Sequence, residues 1–263
     1  MEFGHIGNEA IVSLHKRQEN TAHLLYLQIK GTCTGTIISV NGVLTSSRCM
    51  NGTAIQYYVS SGYRLLDNDK IYFVADIRRH STSDLGILFI EGQFRLYKIQ
   101  KLPDVPITNP DDMGYGGFGD LGYDNYTNIM RKSYVEKADS QCREYKNLGD
   151  EKNLECFKGL QEDPKDRTFY NPCQADLGAA IFDLVDTPSG DTLMFPNSVI
   201  SYVDKCYHDE TYPFLATKIT QELLNWTKET VEMGRRKGFN EGPSLFFSPF
   251  LLVVFTVVQF FFF

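Results

Sequence analysis

The residues with the most chemistry in them are six cysteines: Cys33, Cys49, Cys142, Cys156, Cys173 and Cys206. None forms a Cys-x-x-Cys pair, and no His/Cys cluster has the spacing of zinc ligands, so neither a metal nor another cofactor is implied. An even number of well-spread cysteines fits disulfides in an oxidising compartment, and it equally fits buried free thiols. Asn-x-Ser/Thr sequons stand at Asn51, Asn125 and Asn225. Asn225 adjoins Trp226 and reads as half-buried, which leaves Asn51 and Asn125 as the glycosylation candidates. His80, in the run RRHSTSD, reads as an exposed loop histidine.

The chain has 263 residues, a formal charge of −7, 42% hydrophobic and 22% charged residues. That length allows one large domain or two small ones. The apolar fraction excludes a disordered chain and suffices for a core. The acidic balance argues against nucleic-acid binding. Eight of the 19 phenylalanines fall in residues 246–263, so the composition describes a soluble domain and a greasy tail.

Residues 245–263, LFFSPFLLVVFTVVQFFFF, would span roughly 28 Å as a helix, close to the thickness of a bilayer core. A tail anchor would leave Arg235, Arg236 and Lys237 on the cytoplasmic side, and a type I span would put them outside. A lipid-anchor signal also ends in such a run, with Asn240, Gly242 and Ser244 as small residues near an attachment site. The first residues contain no apolar run of signal-peptide length. Taken alone that reads as cytosolic, against the disulfide reading of the cysteines.

The elements that would position these residues are mostly strands. Short β-like runs occur at 23–30, 35–44, 71–77, 86–90, 179–185 and 198–203, with Asn41-Gly42 as a hairpin signal inside the second. Their number and spacing suggest a sandwich or barrel. The convincing soluble helix runs from Lys218 to Met233, with Leu223, Leu224, Trp226 and Thr227 near one face. The charged stretch 139–166 reads as helix or loop.

Four segments resemble trypsin-like serine proteases, in order and at matching spacing. Residues 33–49, CTGTIISVNGVLTSSRC, are similar to the family's strand–turn–LTAAHC stretch. Residues 83–90, SDLGILFI, are similar to its DIALL-type strand, and residues 173–180, CQADLGAA, to CQGDSGGP. Residues 198–219 resemble the GIVSWG…C…PGVYTRV segment, and the closing helix around Trp226 fits as well. The resemblance covers residues 6–233 and leaves 234–244 as a linker to the hydrophobic segment 245–263. It implies an all-β fold of two six-stranded antiparallel β-barrels, chymotrypsin-like, with a C-terminal helix and then the tail. It also implies the pairs Cys33–Cys49, Cys142–Cys156 and Cys173–Cys206, a secretory route, and an N-terminus that is incomplete or misassigned.

Acyl transfer on this fold needs a serine nucleophile, a histidine base and an aspartate that orients the histidine. The resemblance puts Asp84 at the aspartate position, Arg48 at the histidine and Leu177 at the serine. A guanidinium stays protonated and cannot act as a base, and leucine has no nucleophilic atom. No substitute nucleophile–base pair is evident: Ser46 and Ser47 match positions that are small for packing. An ion pair between Arg48 and Asp84 is expected instead. The oxyanion loop falls on Ala175, Asp176, Leu177 and Gly178, with alanine replacing a glycine. The substrate pocket falls on Asn171 at its floor, with Val203 and Phe214 replacing the glycines of its walls. Asp176 would pair with a new N-terminal amine in the family, but residues 6–10 resemble that start only weakly, and His5 precedes them in place of a basic cleavage residue.

The resemblance therefore implies a non-catalytic homologue that acts by binding a protein, such as an active protease or its substrate, at a cell surface or in secretions. The alternatives are a trypsin-like endopeptidase using displaced residues, and a duplicate without a selected role. The glycine- and aromatic-rich stretch 113–124 is a candidate recognition loop, or simply the family's Gly-rich strand. Partners from other classes are not indicated, apart from a membrane met through the tail.

Overall fold

The computed structural model describes residues 11–16, 33–61, 71–94, 99–107, 112–117, 131–138, 142, 153–160, 171–189, 192–204 and 212–236. Twelve strands close into two antiparallel barrels of six. The first contains β1 (Ile11–Lys16), β2 (Cys33–Ile37), β3 (Gly42–Thr45), β4 (Tyr57–Ser61), β5 (Ile71–Arg79) and β6 (Gly86–Ile90), in the order β1-β2-β3-β6-β5-β4. The second contains β7 (Asp112–Gly117), β8 (Arg131–Lys137), β9 (Leu154–Gly159), β10 (Ala180–Asp186), β11 (Thr192–Tyr202) and β12 (Pro213–Lys218), in the order β10-β11-β12-β9-β8-β7. The expected two-barrel architecture is thus present.

Strand β6 shows why its sequence reads as a continuous apolar run. Leu88 and Ile90 face the core of the first barrel, while Ile87 and Phe89 face outward onto the C-terminal helix. Both faces are buried, so the polar alternation of a one-sided strand is lost. That helix, α1, spans Gln221–Arg236 and lays Leu223 and Leu224 against Phe89 and Val199. A Cβ at Gly234 would collide with the Phe89 ring, so the last turn of α1 sits tight on the first barrel.

Three details differ from the sequence expectation. Lys218 ends β12, and the helix starts after Thr220, whose hydroxyl accepts the Leu223 N–H. It runs on to Arg236, three residues into the expected linker. The hairpin between β2 and β3 pairs Ile37 with Val43, so its loop is wider than a two-residue Asn-Gly turn, and Gly42 has no positive φ. Residues 154–159, inside the charged stretch, form a strand because their charges pair across the sheet. Glu155 Oε1 meets Lys218 Nζ at 2.7 Å and Lys137 Nζ at 3.3 Å, and Lys158 Nζ meets Glu136 at 2.7 Å. The run at 23–30 and the tail 245–263 lie outside the described residues. Among the described residues, no helix is long and apolar enough to cross a membrane.

Candidate functional site

Asp84 ends the loop before β6 and is 3% exposed. A buried carboxylate must be hydrogen-bonded or neutralised, because its desolvation is otherwise too unfavourable. Four groups meet it here. Ser46 Oγ donates to Oδ2 at 2.6 Å and Ser47 Oγ to Oδ1 at 2.6 Å. The Arg48 backbone N–H donates to Oδ1 at 3.0 Å, and Arg48 Nε stands 3.4 Å from Oδ2. The 3-10 turn Ser47–Met50 presents all of these donors at once, and Ser46 caps it by accepting the Arg48 N–H at 3.1 Å. The expected Arg48–Asp84 pair is formed. The two serines, read from sequence as packing residues, are also hydrogen-bond donors to Asp84.

The pair is lopsided. The Asp84 side chain is 1% exposed and that of Arg48 is 37% exposed. The guanidinium therefore lies over the carboxylate with one side in water. What this cluster can do chemically is hold a negative charge in place. It contains no imidazole to accept a proton.

The opposing loop comes from the second barrel. Residues 174–176 make a 3-10 turn, so Ala175 occupies ordinary backbone space where the family has glycine. The Asp176 N–H donates to Cys173 C=O at 2.8 Å, and the Leu177 N–H to Gln174 C=O at 3.2 Å. An N–H bonded within its own turn is not aimed at a developing oxyanion. Other bonds fix the loop from both barrels: Thr34 N–H to Leu177 C=O at 2.8 Å, Thr34 Oγ1 to Ala175 C=O at 2.8 Å, and Gly178 N–H to Ile200 C=O at 2.8 Å. Gly178 has φ +86°, and a Cβ there would strike Thr45 and the Thr34 carbonyl, so only glycine fits. The Leu177 side chain packs against the apolar cores of both barrels.

Asp176 is 2% exposed, and its Oδ2 accepts the Cys173 N–H at 2.9 Å. Its other oxygen lies so close to Gly117 that a Cβ there would collide with it. The segment expected to resemble the family's N-terminus, residues 6–10, lies outside the described residues.

The residues expected to form the pocket are buried. Phe214 is 1% exposed, stacked on Phe157 with centroids 6.0 Å apart and edge-on to Tyr115 at 6.5 Å. Val203 is buried in the same cluster, with Ala179, Ile200 and Ala216, and Asn171 is buried as well. Phe214, Val203 and their cluster neighbours make an apolar interior.

Cys33–Cys49 and Cys142–Cys156 are disulfides, with Cα atoms 6.0 and 5.8 Å apart. Closing loops of this length contributes about 3 kcal/mol each in the chain-entropy picture. Cys206, the expected partner of Cys173, lies outside the described residues, as does Asn125. His80 is half-buried rather than exposed, edge-on to Trp226 at 5.1 Å, and so ties α1 to the loop that carries Asp84. Asn225 is exposed rather than half-buried. Of the stretch 113–124, residues 113–117 belong to β7, and 114–117 are buried in the sheet rather than exposed on a loop. No group of three metal-ligating side chains occurs among the described residues.

One buried charge escaped sequence reading. Asp183 on β10 is 1% exposed, and both its oxygens accept from Asn197 Nδ2 at 2.8 Å. Burial lifts its pKa to about 6, against the smaller opposing effects of the Asn197 bonds and of Lys137 and Lys218. A lone acidic residue in a strand gives no sequence sign that its neighbours will bury it.

Paired six-stranded antiparallel barrels with a closing helix, and a loop from each barrel meeting between them, define the class of fold. The family model described as Trypsin matches residues 11–227, and the chain belongs to that family. No curated protein matches the chain. The two disulfides point to an extracellular or secreted protein.

Proposed function

We propose that this trypsin-family chain is a non-catalytic member that acts by binding a protein partner. The observation that carries this is the state of the Leu177 loop. Its side chain lies between the two apolar cores where the family's nucleophile is expected, and its N–H is bonded to Gln174. Two further observations support it. Arg48, expected at the base position, is paired to Asp84, and Phe214 and Val203 occupy the interior expected to receive a substrate side chain. Ser46 and Ser47 offer hydroxyls, but both already donate to the Asp84 carboxylate, and the cluster holds no imidazole to act as their base.

The test is covalent. Purified chain is incubated with a fluorophosphonate probe beside active trypsin, and labelled peptides are mapped. No serine is expected to be labelled above the heat-denatured control. Specific labelling of any one serine would return the chain to the endopeptidases. Residues 245–263 supply the second part of the reading, attachment at a membrane through the tail. Release from cells by a phosphatidylinositol-specific phospholipase supports a lipid anchor, and retention in the membrane fraction supports a spanning tail.

A further inference from the structure

We propose that Asn51 carries an N-linked glycan, and that this glycan covers Ile55 and stands at the rim of the Arg48–Asp84 cluster. The inference rests on the secretory setting indicated by the disulfides and is independent of whether the chain is catalytic.

Asn51, Gly52 and Thr53 form a sequon whose three residues are all exposed. Asn51 ends the 3-10 turn that carries Arg48. The backbone on each side of it is held. Arg79 Nη2 donates to the Met50 carbonyl and, at 2.9 Å, to the Gly52 carbonyl. Gln56 closes the far side, with its Oε1 accepting the Thr53 N–H at 3.1 Å and its N–H donating to Thr53 C=O at 3.1 Å. Gly52 has φ +151°, and a Cβ there would collide with Gln56, so no side chain crowds the middle of the sequon. The Asn51 side chain itself makes no hydrogen bond among the described residues. The asparagine is thus presented on a fixed, open loop without a structural task of its own.

The surroundings suggest a cover. Ile55, four residues on, is 73% exposed, the most exposed large hydrophobic side chain among the described residues. An apolar group left this open at a rigid turn is unfavourable in water and would be shielded by a sugar chain rooted beside it. Arg48 lies three residues before Asn51, no more than about 10 Å along the chain, so the same glycan borders the Arg48 guanidinium. A glycan there would steer a protein partner away from the old cleft and toward other faces.

The modification is a group transfer from a lipid-pyrophosphate-linked oligosaccharide. Asn51 Nδ2 forms a bond to the anomeric carbon of the first sugar. The bond from that carbon to the pyrophosphate oxygen breaks, and the lipid pyrophosphate leaves with the electron pair. One Nδ2 proton passes to a base of the transferase.

The full chain is expressed behind a cleavable secretory leader in a glycosylating eukaryotic cell, beside N51Q, T53A and T53S. Amidase deglycosylation in H2(18)O followed by peptide mapping is expected to find 18O-labelled aspartate at position 51 in the wild type and in T53S, and none without the amidase. N51Q and T53A should each run smaller by one glycan. Hydroxyl-radical footprinting should then show Ile55 oxidised several-fold faster after deglycosylation. Recovery of the Asn51 peptide unmodified from folded, secreted protein would overturn the site. Equal Ile55 oxidation with and without the glycan would overturn the cover.

Discussion

The two barrels contribute to the interbarrel site in opposite ways. The first keeps a charge there: Asp84 stays buried and is surrounded by Ser46, Ser47 and Arg48. The second is packed mainly with hydrocarbon from Leu177, Val203 and Phe214, and its buried Asp176 is held by the Cys173 backbone N–H. The difference follows from what each side buries. A buried carboxylate without partners is strongly destabilising, so Asp84 needs the cation and hydroxyl donors around it. An apolar interior needs only close packing, and packing stabilises. One half of the site is held by electrostatics and hydrogen bonds, the other by apolar contact.

That contrast can be broken from either side. The largest effect is expected for Phe214→Ala, which removes a ring buried between Phe157 and Tyr115 and should cost about 3–5 kcal/mol. Urea unfolding at two salt concentrations measures it, and the loss should not depend on salt. On the other side, Asp84→Ala strands two hydroxyls, a backbone N–H and a guanidinium, and should cost about 3 kcal/mol. A loss well under 1 kcal/mol would mean that the cluster is held by something other than the carboxylate.

Asp183 sharpens the comparison, because it is a carboxylate buried on a strand of the second barrel, away from the loop that carries Leu177. Its pKa is raised in the folded chain, from an ordinary 3.8 to about 6. The folded state therefore binds its proton more tightly than the unfolded state does. The resulting stabilisation is full below about pH 4 and is lost as pH rises through about 6. Asp183→Asn should therefore raise the melting point at pH 7.5, by at most about 3 kcal/mol of stability, and the advantage should vanish near pH 4. A gain that does not change with pH would assign it to packing. The smallest effect is expected for Arg48→Ala, about 1 kcal/mol, because its guanidinium is partly in water and Ser46 and Ser47 still satisfy Asp84. That loss should shrink at high salt.

Much of this arrangement was legible in the sequence, for identifiable reasons. The segments around Cys33–Cys49, Asp84 and Leu177 resemble trypsin-family motifs in order and spacing, and that resemblance implied the barrels and the Arg48–Asp84 pair. The roles of Ser46 and Ser47 were not legible, because a small residue looks the same whether it packs or donates. Strand β9 was hidden by Glu155 and Lys158, whose charges are matched only by β8 and β12, far away in sequence. His80 looked like a loop residue because its partner, Trp226, sits on a helix 146 positions later (226 − 80).

The most direct measurement asks whether the site is closed by its backbone and its packing, or merely lacks two side chains. The double variant R48H/L177S supplies an imidazole and a hydroxyl at the two positions where the resemblance expects them and leaves Ala175, Val203 and Phe214 in place. Incubated with the fluorophosphonate probe and with a mixture of peptide substrates, it is expected to show neither labelling at position 177 nor cleavage above the wild-type chain. Labelling of that hydroxyl at a rate near trypsin's, with peptide turnover, would contradict a closed site.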